Sequence, residues 1–203
     1  MSRMTKTLEF LFDFGSPNAY LAHRVLPALA ERAGATLVYT PVLLGGLFKS
    51  TGNQAPMVAF AGVPKKLAYE SLETRRFITR HGLTAFRMNP HFPVNTLMLM
   101  RGATAAEAAG QLMPYVEAGF VAMWEKGAKM DDPEVFRAEL ATAGLDADAL
   151  IAASQTPEIK QKLLERTEAA AARGAFGSPT FFVGEEMWFG KERLREVEDY
   201  LAA

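Results

Sequence analysis

The chain has 203 residues, of which 49% are hydrophobic and 22% are charged, as in ordinary globular proteins. Its 22 basic and 23 acidic residues give a net charge of −1, so no basic excess indicates nucleic-acid binding. The absence of cysteine excludes disulfides, thiolate metal sites and any reaction on a thiol of the protein itself. The histidines, His23, His81 and His91, lack metal-ligand spacing, and we expect no metal site.

The start of the chain and its hydropathy indicate a soluble, cytoplasmic protein. Residues Met1–Lys6 are polar and lead directly into Leu8 and Phe10, without the hydrophobic core of a signal peptide. No apolar run approaches the roughly 18 residues that a membrane span needs. The length fits one domain, or one domain with a large insertion.

The first forty residues predict a strand, a helix and a second strand. Leu8–Phe14 is short, apolar and aromatic, which is typical of a buried strand. Ser16-Pro17 then predicts a helix start, because serine is a favoured N-cap and proline is favoured at the first helical position. This helix extends to Ala33-Gly34, and Thr36–Val42 is the next strand, with Pro41 near an edge or at the exit.

The middle of the chain predicts helices only. Between about Leu47 and Ala153 no segment has a convincing strand pattern. Helical patterns cover, in chain order, Lys65–His81, Asn95 to about Met100, Thr104–Lys129 as one long helix or two, Pro133–Ala143 and a short piece around Asp148–Ala152.

The last fifty residues predict a helix, two strands and a closing helix. The helix begins at Thr156-Pro157 and ends at Arg173. Thr180–Val183 and Met187–Phe189 follow as a hairpin, and Lys191–Leu201 is amphipathic. The order βαβ, helical block, αββα predicts an α/β, thioredoxin-like fold with a large all-helical insertion. We assign residues 1–43 and 156–203 to a thioredoxin-like domain and residues 44–155 to an inserted helical domain.

The start of the first helix is a candidate site for a thiolate. A helix N-terminus has unpaired N–H groups that favour an anion, and thioredoxin-like redox proteins have a Cys-x-x-Cys motif there. In this chain Ser16-Pro-Asn-Ala19 takes that place, so dithiol–disulfide exchange is excluded. An external thiol such as glutathione would complete the site. The alternative is that Ser16 is only a helix cap.

A second candidate feature is the loop Phe176-Gly-Ser178-Pro179-Thr180 before a strand. An X–Pro bond can be cis, and a cis bond here would leave the Ser178 backbone free to pair with an extended peptide such as glutathione. An ordinary trans turn is the alternative.

Six segments together resemble the family of 2-hydroxychromene-2-carboxylate isomerases and kappa-class glutathione transferases, within the DsbA-like group. They cover nearly the whole chain: Phe12-Asp-Phe-Gly-Ser-Pro-Asn-Ala-Tyr-Leu-Ala22, Thr51-Gly-Asn53-Gln-Ala-Pro56, Pro64-Lys-Lys66 with Tyr69, Phe92-Pro-Val-Asn95-Thr, Gly174-Ala-Phe-Gly-Ser-Pro-Thr-Phe181 and Phe189-Gly-Lys-Glu192-Arg-Leu194.

The resemblance implies a role for several residues. Ser16 matches the family serine that holds the glutathione sulfur, and Asn53 matches a residue that contacts bound glutathione. Lys66, rather than Lys65, is expected to reach the glycine carboxylate. Ser178-Pro179 matches the cis-proline loop that pairs with the peptide backbone.

The γ-glutamyl end of glutathione is expected near the start of the last helix. This chain has Lys191-Glu192 there, where a small or amide residue followed by aspartate is more usual. Glu192 would take the α-ammonium group, although its side chain is longer than that of the family's aspartate.

The resemblance implies an isomerase that uses glutathione to convert 2-hydroxychromene-2-carboxylate into trans-o-hydroxybenzylidenepyruvate. It also implies a homodimer and a small aromatic substrate from the degradation of aromatic compounds. Two alternatives stay open: a kappa-like transferase that conjugates electrophiles with glutathione, and a non-enzymatic thioredoxin-like binding module.

A few other residues have less specific roles. We expect Asp13 to be a structural acceptor rather than a proton-transfer group, and His23 to serve packing or the surface rather than catalysis. An aromatic substrate pocket has four candidate lining residues, Trp124, Trp188, Phe48 and Phe60, although aromatic side chains more often lie in the core.

Overall fold

The protein is described by a computed structural model that covers residues 6–203. Its sheet has four strands in the order β2-β1-β3-β4: β1 (Thr7–Phe12), β2 (Thr36–Pro41), β3 (Thr180–Val183) and β4 (Glu186–Phe189). The β1–β2 pair is parallel, whereas β1–β3 and β3–β4 are antiparallel. The predicted thioredoxin-like fold is therefore confirmed, and Pro41 ends an edge strand as expected.

Ten α-helices of the described residues surround this sheet. They are α1 (Pro17–Ala33), α2 (Leu44–Thr51), α3 (Pro56–Ala59), α4 (Pro64–His81), α5 (Leu97–Ala108), α6 (Leu112–Val121), α7 (Pro133–Thr142), α8 (Ala147–Ser154), α9 (Pro157–Ala172) and α10 (Leu194–Ala202). A π-helical turn (Ala122–Lys126) follows α6, and a 3₁₀ turn (Lys191–Arg193) precedes α10. None of the helices in residues 6–203 is long and apolar enough to cross a membrane.

Strand β1 lies between two layers of core. Its residues Leu8, Phe10 and Phe12 are fully buried in the larger apolar cluster, which also contains residues of α1, α5 and α6. Leu11 points to the other face and packs in a smaller cluster with Phe182. Because successive side chains of a strand alternate between faces, a strand covered on both sides must be apolar nearly throughout.

Two predicted boundaries in the helical block are wrong. Thr104 was expected to begin a helix, but it lies inside α5, where its hydroxyl donates to the carbonyl of Met100 at 3.0 Å. The helix ends at Ala108, and Gly110 has a φ of 70°, which reverses the chain before α6. The π-helical turn after α6 was not predicted. The division into two domains stays a prediction.

Candidate active site

Ser16 caps α1 and faces the loop before β3. Its Oγ accepts a hydrogen bond from the Ala19 N–H at 3.2 Å, and its hydroxyl donates to the Ser178 carbonyl at 2.8 Å. The side chain is therefore a helix cap, which was one of the two interpretations of the sequence. It also contacts Ser178, in the second candidate segment. The residue is 5% exposed.

The first turn of α1 has an unused donor. Pro17 has no N–H, and the N–H groups of Ala19 and Tyr20 are bonded to the Ser16 carbonyl. The N–H of Asn18 has no hydrogen-bond partner in residues 6–203, and no acidic side chain lies in this turn. The unused donor and the positive end of the helix dipole together favour an anion beside Ser16.

The peptide bond between Ser178 and Pro179 is cis. The Ser178 Oγ accepts from the Asp13 N–H at 3.2 Å, which fixes this loop against the end of β1. Within the described part of the chain the Ser178 N–H has no partner, whereas its carbonyl accepts from Ser16. An extended peptide could therefore pair with this N–H, and with the carbonyl either beside Ser16 or in its place.

Asp13 holds the loop that leads into α1. Its fully buried carboxylate accepts from the Gly15 N–H at 2.8 Å and from the Leu44 N–H at 2.7 Å. Burial raises the pKa of this carboxyl, while hydrogen bonds from Gly15, Leu44 and Thr96 oppose the rise. The expected structural role of Asp13 is confirmed.

Trp124 holds the same loop from the other side. Its indole N–H donates to the carbonyl of Phe14 at 2.8 Å, and its side chain is fully buried in the π-helical turn. Trp124 is therefore a core residue that fixes the loop leading to Ser16, and it does not line an open aromatic pocket. Sequence analysis missed this role, because the pattern that predicts a helix does not show which carbonyl an indole will reach.

Two segments contact the cis-proline loop through hydrogen bonds. The Asn53 amide donates to the carbonyl of Phe176 at 2.8 Å. The Gly190 N–H donates to the carbonyl of Pro179 at 3.0 Å, and Gly190 directly precedes the turn that contains Lys191 and Glu192.

The side chains of Lys191 and the neighbouring Glu192 interact with each other. Its amine is almost fully buried, forms an ion pair with the half-exposed Glu192 carboxylate and lies 5.6 Å from the ring centre of Phe77. The carboxylate expected to receive a ligand's ammonium group therefore already has a cation beside it. A pair of this kind was not expected, because lysine side chains are rarely buried.

Lys66 stands apart from this group. It is exposed near the beginning of α4, and its amine lies 3.5 Å from the ring centre of Phe60. Hydrogen bonds thus connect the cis-proline loop with Ser16, with Asn53 and with the start of the Lys191–Glu192 turn. Within residues 6–203, no hydrogen bond or ion pair connects the Lys66 side chain with any of them.

His23 lies on α1 but turns away from Ser16. Its ring nitrogens are 2.8 Å from the Tyr39 hydroxyl and 3.0 Å from a Glu117 carboxylate oxygen. The hydrogen bond from His23, with help from Arg24, lowers the pKa of Glu117 to about 2. This arrangement ties α1 to β2 and α6, and the packing role expected for His23 is confirmed.

Residues 7–202 match the family described as the DSBA-like thioredoxin domain. The chain belongs to this family. Within the DSBA-like group it is similar to the 2-hydroxychromene-2-carboxylate isomerase of Sphingobium xenophagum, with 30% identity over 98% of this chain and 99% of the relative. It is also similar to human glutathione S-transferase kappa 1, with 27% identity over 96% of this chain and 90% of that protein.

Solved structures agree with this placement. A 2-hydroxychromene-2-carboxylate isomerase superposes on this DSBA-like chain with a TM-score of 0.81 and 29% identity, over 96% of this chain and 94% of the other. The resemblance to these isomerases and to kappa-class transferases is thereby confirmed, and both kinds of relative are enzymes.

Proposed function

We propose that the protein is a glutathione-dependent isomerase that converts 2-hydroxychromene-2-carboxylate, or a closely related aromatic carboxylate, into the trans-benzylidenepyruvate. The observation that carries the proposal is the hydrogen bond between Ser16 and Ser178, next to the N–H groups of Asn18 and Ser178, which have no hydrogen-bond partner within residues 6–203. The likeness to the Sphingobium isomerase over nearly the full length of both chains supports the choice of reaction.

The residues at this position fit an external thiol peptide. The chain has no cysteine, so a thiolate at the start of α1 would have to come from a ligand. The cis-proline loop offers a backbone N–H to an extended peptide, and the half-exposed carboxylate of Glu192 could accept an ammonium group in addition to its ion pair with Lys191. Lys66 makes no ion pair within residues 6–203, and its exposed amine is available to the peptide's terminal carboxylate.

Bound glutathione would supply a thiolate nucleophile. Its addition to a conjugated carbon, with opening of the ring, would let a bond rotate, and expulsion of the thiolate would restore the double bond in the trans form. The Ser16 hydroxyl and the Asn18 N–H would donate to the sulfur and favour its ionised form. A free thiol has a pKa of about 8.5, and such positions lower it by one unit or more. Asp13 and Trp124 would keep the loop before Ser16 in place without contacting the sulfur.

Product analysis tests the proposal. With 2-hydroxychromene-2-carboxylate and catalytic amounts of glutathione, we expect NMR to show isomerisation to equilibrium over many turnovers and recovery of free glutathione. A stable thioether formed in proportion to glutathione would instead favour the kappa-like transferase, which the 27% identity to human glutathione S-transferase kappa 1 supports as the second candidate. Isomerisation at the same rate without any thiol would contradict both.

The non-enzymatic binding module is the third candidate. It would bind glutathione or a peptide at the same loop without turnover of any electrophile. The contacts of Asn53 and of Gly190, which precedes the Lys191–Glu192 turn, with the cis-proline loop favour an enzyme of the relatives' kind over this alternative.

We further propose that the protein works as a homodimer in the cytoplasm, where reduced glutathione is abundant. The region of α3 and α4 exposes several large apolar side chains: Met57 at 46%, Val58 at 61%, Val63 at 51% and Tyr69 at 55%. Apolar surface of this kind is typical of protein contacts. Sedimentation analysis should give twice the mass of the chain, and replacing Val58 and Val63 with serine should shift it toward one chain.

A further inference from the structure

Two carbonyl groups of the π-helical turn after α6 are left out of the regular helical pattern. In a continuing α-helix the carbonyls of Met123 and Trp124 would accept from the N–H groups of Gly127 and Ala128. Both of those N–H groups bond instead to the carbonyl of Ala122, the second at 2.8 Å. The two carbonyls therefore need donors from another part of the chain.

The segment between α4 and α5 supplies these donors. The side-chain amide of Asn89 donates to the carbonyls of Met123 and Ala128, both at 2.9 Å. The Arg87 N–H donates to the Trp124 carbonyl at 2.7 Å. The backbone on both sides of Trp124 is thus held from outside its own helix.

The Trp124 side chain extends from the backbone that Asn89 holds, and its indole donates to the carbonyl of Phe14. We propose that Asn89 is a positioning residue for the site at Ser16. It holds the π-helical turn, the turn directs the indole, and the indole fixes the loop before Ser16. The effect of Asn89 on a bound thiol rests on the proposed function, whereas its effect on the loop can be tested without any thiol.

Asparagine suits this position because every polar atom of its side chain has a partner. Asn89 is 3% exposed, and carbonyl groups use both hydrogens of its amide. Its Oδ1 accepts from the His91 N–H at 2.8 Å. An ionised aspartate would have no hydrogen for the two carbonyls, and an apolar side chain would leave them unpaired in the interior.

Loss of the Asn89 amide would let the turn return to regular α-helical hydrogen bonding. Successive residues of an α-helix differ in direction by about 100°, so a shift by one residue would point the Trp124 indole away from Phe14. Glu125, the next residue of the turn, would move with it and release Tyr20, whose hydroxyl donates to the Glu125 carboxylate at 2.8 Å. The turn therefore holds both the loop before α1 and α1 itself.

Hydrogen exchange followed by NMR tests the proposal without any thiol, in protein that carries Trp188→Phe so that Trp124 is the sole tryptophan. Asn89→Leu keeps the approximate shape of the side chain and removes its hydrogen bonds. We expect the Trp124 indole N–H and the Ser16 N–H to exchange at least about tenfold faster relative to the Phe10 N–H of the central strand, which reports global unfolding. Asn89→Ala should have the same effect, and it replaces the leucine variant if that variant does not fold.

Tyr115→Phe is the matched control. The Tyr115 hydroxyl is also buried and donates to the carbonyl of Leu99 at 2.8 Å, so this variant loses one buried hydrogen bond to a neighbouring element. It should leave the exchange of the Trp124 indole and of Ser16, relative to Phe10, unchanged. Equal acceleration of all three N–H groups in Asn89→Leu, or no acceleration, would overturn the proposal.

A double-mutant cycle tests whether Asn89 acts through Trp124. In the Trp124→Phe background, Asn89→Leu should change the Ser16 exchange rate by less than about twofold, because the indole that transmits the effect is missing. A further acceleration of about tenfold in that background would show that Asn89 does not act through the indole.

A glutathione titration separates this proposal from the proposed function. Asn89→Leu should raise the thiol pKa of bound glutathione by about half a unit or more toward the value of about 8.5 for a free thiol, whereas Tyr115→Phe should not. An unchanged thiol pKa in Asn89→Leu would contradict the positioning role. Absence of glutathione binding to the wild type would contradict the proposed function, and the exchange rates would then decide alone whether Asn89 positions the loop.

Discussion

The hydroxyl group of Ser16 donates a hydrogen bond to the carbonyl of Ser178 over 2.8 Å, although the two residues are 162 positions apart in the sequence. The bond occupies the proton that Ser16 would give to a sulfur and the carbonyl that Ser178 would offer to a peptide. A peptide N–H that takes the place of Ser16 at the Ser178 carbonyl would free the Ser16 hydroxyl for the sulfur of the same ligand.

The first prediction concerns the choice of thiol. Glutathione should be bound with a lowered thiol pKa, whereas an analogue with an ester oxygen in place of the cysteinyl N–H should show a pKa at least about one unit higher. The reason is that the ester cannot take over the Ser178 carbonyl. Ultraviolet absorbance of the thiolate across a pH series measures both values. Equal pKa values for the two bound ligands would contradict the exchange of partners.

The second prediction concerns Ser178→Ala. Removal of the hydroxyl leaves the buried N–H of Asp13 without its acceptor, which should lower the free energy of unfolding by ~1–3 kcal/mol. Thr142→Ala is the control, since the Thr142 hydroxyl bonds only a carbonyl of its own exposed helix. Urea denaturation compares the two variants, and a loss for Ser178→Ala no larger than that of the control would speak against this role.

The third prediction concerns Trp124→Phe, which removes the indole donor to Phe14. We expect a stability loss of ~1–3 kcal/mol and, in addition, a higher pKa of bound glutathione, because the loop before Ser16 loses its anchor. Trp188→Phe is the matched control, because the indole of Trp188 is partly exposed and makes no hydrogen bond in residues 6–203. Loss of stability in Trp124→Phe without any change in the thiol pKa would limit Trp124 to a packing role.

The fourth prediction concerns the pH dependence of Asp13→Asn. Burial raises the pKa of Asp13 in the folded protein, so between the ordinary aspartate pKa of about 3.9 and this raised value the folded state holds more protons than the unfolded state. The stability contributed by the aspartate therefore falls as the pH rises through this window.

The difference in unfolding free energy between wild type and Asp13→Asn measures this dependence, because the contributions of the other titrating groups are the same in both proteins and cancel. The wild type should be the more stable protein, since an amide nitrogen in the variant would face the N–H of Gly15 or Leu44. Its advantage should shrink from pH 4 toward neutral pH. An advantage that grows over this range would contradict a raised pKa.

Local sequence signals predicted the parts of the fold that local chemistry determines. The serine cap and proline of α1 and the aromatic strand Thr180–Val183 lie where the pattern indicated. The end of α5 was missed because the helical pattern was expected to begin at Thr104, whereas the hydroxyl of Thr104 bonds the carbonyl of Met100 within the helix. Whether a threonine lies at the start of a helix or inside it depends on tertiary packing.

The part of the candidate site that depends on local chemistry was also predictable. Ser16 and Pro179 are marked by turn chemistry, and a family resemblance identifies their neighbours. The bond between Ser16 and Ser178, the anchor at Trp124 and the burial of Lys191 are contacts between distant segments, which no periodicity encodes.

The most direct test of the account is a glutathione titration of wild type and Ser16→Ala near neutral pH, followed by thiolate absorbance in the ultraviolet. The account predicts saturable thiolate absorbance in the wild type and its loss, or a rise in thiol pKa by about one unit or more, in the variant. Equal thiolate absorbance in both proteins, or no glutathione binding to the wild type, would contradict the claim that Ser16 and the first turn of α1 stabilise an external thiolate.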